Sequence, residues 1–276
     1  MTIYEEMLKQ YGGNINAEHE IMQQIALAGL HQGGFFKNAA FYGGTCLRIF
    51  HHLHRFSEDM DFSLTRKNDN IHLENYFQPL VETFKTTGLN VEITKKNKKQ
   101  FGKIESAFLK ENTEAYDIKF QTNKTIKIKI ELDTDPPLKF NTEQLLLLQP
   151  YSFYTQCFTL PNLFAGKMHA LLYRTWKNRV KGRDWYDFEW YVRHQIPLNF
   201  IHLQERIKNS HGEIVDIQNF ISDLKNKISS TNINWVKDDV VNFIKDKNEL
   251  NIWSNEYFMQ LCDKIVFQND NITTTK

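Results

Sequence analysis

Two aspartates one residue apart, Asp59 and Asp61 in "RFSEDMDF", follow a glycine pair and a threonine, Gly43-Gly44-Thr45 in "FYGGTCLR". Side chains alternate along a strand, so both carboxylates fall on one face and repel unless a cation lies between them. Hard oxygen donors suit Mg²⁺, with Mn²⁺ as the alternative, and Mg²⁺ commonly combines one or two protein carboxylates with substrate phosphate oxygens. A glycine pair opening a helix straight after a strand lets backbone amides approach a phosphate at the positive helix end. Alone, the acids read as a solvated strand edge and the glycines as a tight connection. Together, in the order strand, Gly-Gly-Thr, helix, D-x-D strand, they describe a site that holds a triphosphate at one end and its metal at the other, as two-metal phosphoryl transfer requires.

These residues resemble the polymerase-beta-type nucleotidyltransferase superfamily, whose signature is a G-G/S element on a helix followed about a dozen residues later by D-x-D or D-x-E. Within it, "GGTCLR" followed by "RFSEDMDF" is similar to the AbiEii/AbiGii-type toxin nucleotidyltransferases of bacterial toxin–antitoxin and abortive-infection systems. Thr45 stands where many members have serine, and the 13 residues between Thr45 and Asp59 lie at the long end of the pattern. A second block, "KMHALLYRTWKNRVKGRDWYDFEWYV" from Lys167, is similar to the family's later helix with a lysine, basic residues, and R-D-x-Y-D opening the next helix. The resemblance runs in order over residues 20–195.

The resemblance implies an enzyme that moves a nucleoside monophosphate from an NTP to the 3′ end of tRNA or to a protein hydroxyl, with growth arrest as the outcome and a cognate antitoxin as partner. Carried over residue by residue, Asp59 and Asp61 are the catalytic metal ligands, and Gly43, Gly44, Thr45 and Arg48 bind the nucleotide. Lys167 contacts its phosphates and Asp184 holds or tunes the site, while Arg183 and Asp187 look like an ion-pair brace between helices. Taken by themselves, Lys167 also fits a solvated helix face, and R-D-x-Y-D fits a helix N-terminus whose acids favour the dipole. Two further readings stay open: a non-catalytic module on the same fold that binds RNA or a protein, and an antibiotic-modifying nucleotidyltransferase.

The elements that must position these residues follow from periodicity. Helical spacing runs through residues 3–33, and Phe35 to Tyr42 reads as the first strand. Thr45 is placed as the N-cap of a short helix, and Met60 to Leu64 as a second strand. Residues 71–87 look helical. Val91 to Thr94, Lys103 to Phe108, Tyr116 to Phe120 and Thr125 to Asp133 alternate as antiparallel strands do. In the last of these, "TIKIKIELD" places Lys127, Lys129, Glu131 and Asp133 on one face, which offers Glu131, or else Asp133, as a third acid and metal ligand. After Asp135-Pro136-Pro137, helical periods prevail near 160–178, 183–194, 198–209, 215–229 and 254–267. The expected fold is α+β: a polymerase-beta-like nucleotidyltransferase domain at 1–140 with a mixed or antiparallel sheet and flanking helices, then a mostly helical domain at 141–276 that completes the active-site cleft.

Composition narrows the class. With 34 Lys+Arg against 33 Asp+Glu, no global field marks a nucleic-acid binder, so any such contact must come from local patches. Two are candidates: the run Lys95, Lys96, Lys98 and Lys99, and the cluster Arg174, Lys177, Arg179, Lys181 and Arg183 with Trp176 and Trp185 as stacking surfaces or as helix anchors. His51, His52 and His54 would spread over different helix faces and suit Zn²⁺ better than an oxygen site, so they are set aside. The start "MTIYEEMLKQ" lacks a targeting pattern, the longest aliphatic run is Leu145 to Leu148, and the 3 widely spaced cysteines fit a reducing compartment. A cytoplasmic protein with no membrane partner is expected.

Overall fold

Asp61 lies on a central strand of a seven-stranded mixed sheet in the computed structural model, which describes residues 1–12, 16–96, 113–121, 125–174 and 180–268. The strands are β1 (Ala39–Tyr42), β2 (Met60–Leu64), β3 (Val91–Lys95), β4 (Thr113–Gln121), β5 (Thr125–Asp133), β6 (Thr142–Leu147) and β7 (Phe153–Phe158), in the order β3-β4-β5-β2-β1-β7-β6. β2 runs antiparallel to β1 and parallel to β5, and β1 runs parallel to β7. The central strands are apolar where they meet the core: Ala39, Ala40, Phe41, Met60, Phe62 and Leu64 are all fully buried. Phe62 stacks on Phe41 with centroids 5.0 Å apart and meets Phe35 edge-on at 5.2 Å, which locks β1 against β2.

The chain divides into two units. The first holds Met1–His52, Phe56–Pro136 and Thr142–Phe158. Its helices are α1 (Ile3–Gln10), α2 (Ala17–Gln32), α3 (Gly43–Phe50) and α4 (Phe77–Thr86). A capping box starts α1, with Thr2 and Glu5 bonding reciprocally. α2 carries a nearly continuous apolar surface, Ile21, Met22, Ile25, Ala26, Leu27, Ala28 and Leu30, all buried.

The second unit holds Leu53–Arg55, Pro137–Asn141 and Thr159–Lys276. Its helices are α5 (Leu160–Tyr173), α6 (Gly182–Arg193), α7 (Phe200–His211), α8 (Ile217–Ser230), α9 (Ile233–Val240) and α10 (Asn255–Cys262). Asn199, Asp216 and Ser254 each accept a backbone N–H to start α7, α8 and α10. Phe164 stacks on Tyr191 at 4.5 Å, and Trp185 and Trp253 meet Phe258 edge-on at 4.8 and 5.0 Å.

The α+β class and the helical C-terminal region are as the sequence predicts. Several details differ. β6 and β7, which fall after the expected boundary at residue 140, pair with each other, and β7 pairs with β1, so both belong to the sheet. The strand expected from Phe35 begins at Ala39, after a turn of 3-10 helix at Phe35–Lys37. Helix α9 lies outside the predicted periods. The expected strand at Lys103 to Phe108 is outside the described residues. Among the described residues no helix is long and apolar enough to cross a membrane.

Candidate active site

In the first unit, strand register sets the acids beside one another. Asp61 stands opposite Tyr42 of β1 on one side and opposite Glu131 of β5 on the other. Asp133 stands opposite Ser63, two residues further along, and its Oδ1 accepts the Asp135 amide at 3.2 Å. Of the two candidates for a third acid, Glu131 is therefore the one placed level with the D-x-D motif.

The glycine turn reaches the same place. Gly43 has φ +83°, a conformation that L side chains rarely adopt. A Cβ added there would collide with Oδ2 of Asp61 and stand 3.2 Å from its Cγ. Only glycine lets the head of α3 lie this close to the carboxylate. The helix begins at Gly43 with Tyr42 as its N-cap, so Thr45 sits inside the first turn and is not the cap. Thr45 is fully buried; its hydroxyl donates to the Asp59 carbonyl and shares a hydrogen bond of 2.9 Å with Ser57. It fixes the approach to β2. Arg48 pairs with Glu20 of α2 at 3.0 Å, which gives the expected nucleotide ligand a structural partner.

The electrostatics of the cluster turn on Lys129. Its ammonium lies 3.1 Å from Glu131 Oε1 and 3.8 Å from Asp59 Oδ2. Burial works against its charge, but Asp59, Glu131 and Asp61 together raise its pKa. Glu131 is pushed up to about 7, first by burial and then by the Asp61 charge, against the pull of Lys129. The donor set, Asp61 and Glu131 on neighbouring strands with Asp59 just before β2, has the hard-oxygen chemistry that Mg²⁺ or Mn²⁺ takes. Among the described residues no three Asp, Glu, His or Cys side chains are already drawn together as a ligand cage; the Lys129 ammonium reaches Glu131 and Asp59. The three histidines do not form a helix face, because α3 ends at Phe50.

In the second unit, Lys167 of α5 meets two aspartates of α6, Asp184 at 2.7 Å and Asp187 at 2.8 Å. Its side chain is 13% exposed, so it is neither a solvated lysine nor an isolated one. Arg174 adds a bond to Asp184 at 3.2 Å. Arg55 grips Asp187 through both carboxylate oxygens, at 2.5 and 2.6 Å. Burial alone would raise both carboxyls, but Lys167 and Arg174 hold Asp184, and Arg55 and Lys167 hold Asp187, below the usual range. The brace expected between Arg183 and Asp187 is replaced by this network: Arg183 places its guanidinium over the Phe243 ring at 4.0 Å. Burial, followed by the Arg174 charge, brings Lys181 down to about 7. Gly182 packs α6 against α9, since a Cβ there would meet the Val236 carbonyl and come within 3.0 Å of the Val240 nitrogen.

Trp185 is buried against Phe258, which makes it an anchor and removes it as a stacking surface. Of the two basic clusters, Lys98, Lys99, Lys177, Arg179 and Trp176 lie outside the described residues. Lys95 and Lys96 are paired with Glu74 and Asp117. Two functional candidates escaped the sequence reading. Arg55 was visible as a lone cation in the aromatic stretch "HHLHRF", and Lys129 as a cation sharing the face of Glu131.

Comparison with known proteins identifies the family and the fold. A family model described as nucleotidyl transferase AbiEii toxin, type IV TA system, matches residues 25–256. In fold the chain is similar to a candidate nucleotidyltransferase from H. pylori, at TM-score 0.52 and 17% identity over 91% of this chain and 94% of the other. It is similar to JHP933 from Helicobacter pylori, at TM-score 0.52 and 16% identity over 91% of each. MenT4, a nucleotidyltransferase toxin from Mycobacterium tuberculosis H37Rv, aligns at TM-score 0.44 and 16% identity over 88% of this chain and 73% of the other. Among curated proteins no sequence is significantly similar.

Proposed function

The chain belongs to the AbiEii family of nucleotidyl transferase toxins of type IV toxin–antitoxin systems, and we propose that it transfers a nucleoside monophosphate from an NTP to an acceptor hydroxyl and releases pyrophosphate. The observation that carries this reading is the close approach of Gly43 to Asp61, which joins the phosphate-binding turn and the metal-binding acid at one point of the sheet. Asp59 and Asp61, with Glu131 as a third oxygen donor, would hold Mg²⁺ or Mn²⁺. Bound there, the ion would neutralise phosphate charge and orient the α-phosphorus.

The residues of the chain supply the rest. Gly43 and Gly44 offer backbone N–H groups at the positive end of α3 for the triphosphate. Thr45 holds the Asp59 carbonyl and so fixes where the first acid stands. Lys167, held by Asp184 and Asp187 within the second unit, is the cation that the family resemblance assigns to the nucleotide's phosphates. In the transfer a bond forms between the acceptor oxygen and the α-phosphorus, the bond to the α–β bridging oxygen breaks, and the acceptor hydroxyl gives up its proton. The acceptor is the 3′ end of tRNA or a protein hydroxyl, and the system includes a cognate antitoxin.

The test is direct. Purified protein is incubated with each labelled NTP, Mg²⁺ and total RNA, and label is sought in tRNA and in protein. Wild type should label one of them and Asp59→Ala should not; equal labelling by both, or none with any NTP, defeats the proposal.

A further inference from the structure

Asp61 and Glu131 stand opposite each other across β2 and β5, with Asp59 two residues before Asp61, and like charges on neighbouring strands disfavour joint ionisation unless a cation offsets them. Among the described residues, one such cation comes from the strand of Glu131 itself. Lys129 stands two residues before Glu131, on the same face, with its ammonium between Glu131 and Asp59 at 3.1 and 3.8 Å and its side chain 15% exposed. Lys127, on the same face two residues earlier, is engaged elsewhere, 2.7 Å from Asp117, and Lys96 lies 3.5 Å from that same aspartate. Lys129, by contrast, has Asp59, Glu131 and Asp61 as its acidic neighbours.

We propose that Lys129 is the resident counter-ion of this carboxylate cluster, and that a divalent cation enters only by displacing its ammonium. The inference rests on the metal-binding reading of Asp59 and Asp61 given above and goes beyond it by assigning a residue that sets metal affinity. An ammonium and a divalent ion cannot share the same few oxygens without strong repulsion. The free energy of separating Lys129 from its carboxylates is therefore subtracted from that of metal binding. Lys129 keeps the empty cluster stable and holds metal affinity down, so that phosphate oxygens arriving with a nucleotide tip the balance toward the metal.

The experiment measures Mn²⁺ binding to the full chain by electron paramagnetic resonance of the free ion, without nucleotide. It compares wild type, Lys129→Gln, Lys129→Met and Lys129→Arg, with Asp59→Asn and Asp61→Asn as controls. Thermal melts in chelator and in Mn²⁺ accompany it. Lys129→Gln and Lys129→Met should bind Mn²⁺ about tenfold more tightly than wild type, while Lys129→Arg, which keeps the charge, should stay within about twofold. Both neutral variants should melt lower than wild type in chelator and recover in Mn²⁺, a crossing that a purely structural lysine would not produce. Neutral variants that bind Mn²⁺ no better than wild type, while Asp59→Asn loses binding, overturn the role of Lys129 alone. Wild type binding no better than Asp59→Asn and Asp61→Asn overturns the metal reading and this inference with it.

Discussion

Replacing Arg55 by methionine should destabilise the second unit by about 3 kcal/mol. The guanidinium side chain is 3% exposed and bonds both oxygens of Asp187, itself fully buried. Removing one partner of a buried ion pair typically costs about 3–5 kcal/mol, because the other charge is left without compensation in a poor solvent. Asp187 keeps Lys167 at 2.8 Å, but Lys167 is shared with Asp184, so the lower end of that range applies. The assay is urea unfolding followed by tryptophan fluorescence. All 5 tryptophans follow residue 158 in the sequence, and the described ones, Trp185, Trp190, Trp235 and Trp253, lie in the second unit, so the signal reports that unit. The double variant Arg55→Met/Asp187→Leu supplies the control: with both charges removed, it should be more stable than Arg55→Met alone. A cost below about 1 kcal/mol for Arg55→Met, or a double variant whose loss equals the sum of the single ones, would refute the reasoning.

Gly43→Ala should lower the melting temperature and cut nucleotide transfer by about 100-fold, since the new Cβ needs both a left-handed backbone and the space of the Asp61 carboxylate; transfer within about threefold of wild type would count against the turn as part of the site. Glu131→Gln, studied in chelator, should stabilise the protein increasingly as pH rises. Because the Glu131 pKa is raised to about 7, its ionisation in the folded state lags that in the unfolded chain, so the wild type loses stability between its ordinary pKa of 4.5 and about 7. The gain from glutamine, near zero at pH 4, should therefore approach at most about 3 kcal/mol at pH 8, as the change in melting temperature with pH will show.

Much of the site was legible from local pattern. The alternation of Met60 to Leu64 and of Thr125 to Asp133 placed Asp61 and Glu131 on the strands they occupy, while Asp59 stands one residue before β2 and the glycine pair opens α3 itself. What spacing could not show is partners: Ser57 holds Thr45, Glu20 holds Arg48, and Asp187, expected to brace Arg183, is held by Arg55. Strands β6 and β7 were missed for a related reason. Pro136-Pro137 looks like a domain break, and short apolar runs such as Leu145 to Leu148 fit a helix or a strand equally well. Only pairing with β1, more than 100 residues earlier in the chain, settles the matter.

By itself the sequence determined the period of each element, the face on which each acid stands and the need for glycine at a turn, because these depend on neighbours within a few residues. The tertiary structure decided which charges compensate which. Asp61 meets Glu131 through strand register, Lys129 reaches Glu131 and Asp59, and Arg55 reaches Asp187 132 residues away. Electrostatic energy depends on distance through space and on burial, and neither is written in the spacing of residues along a chain.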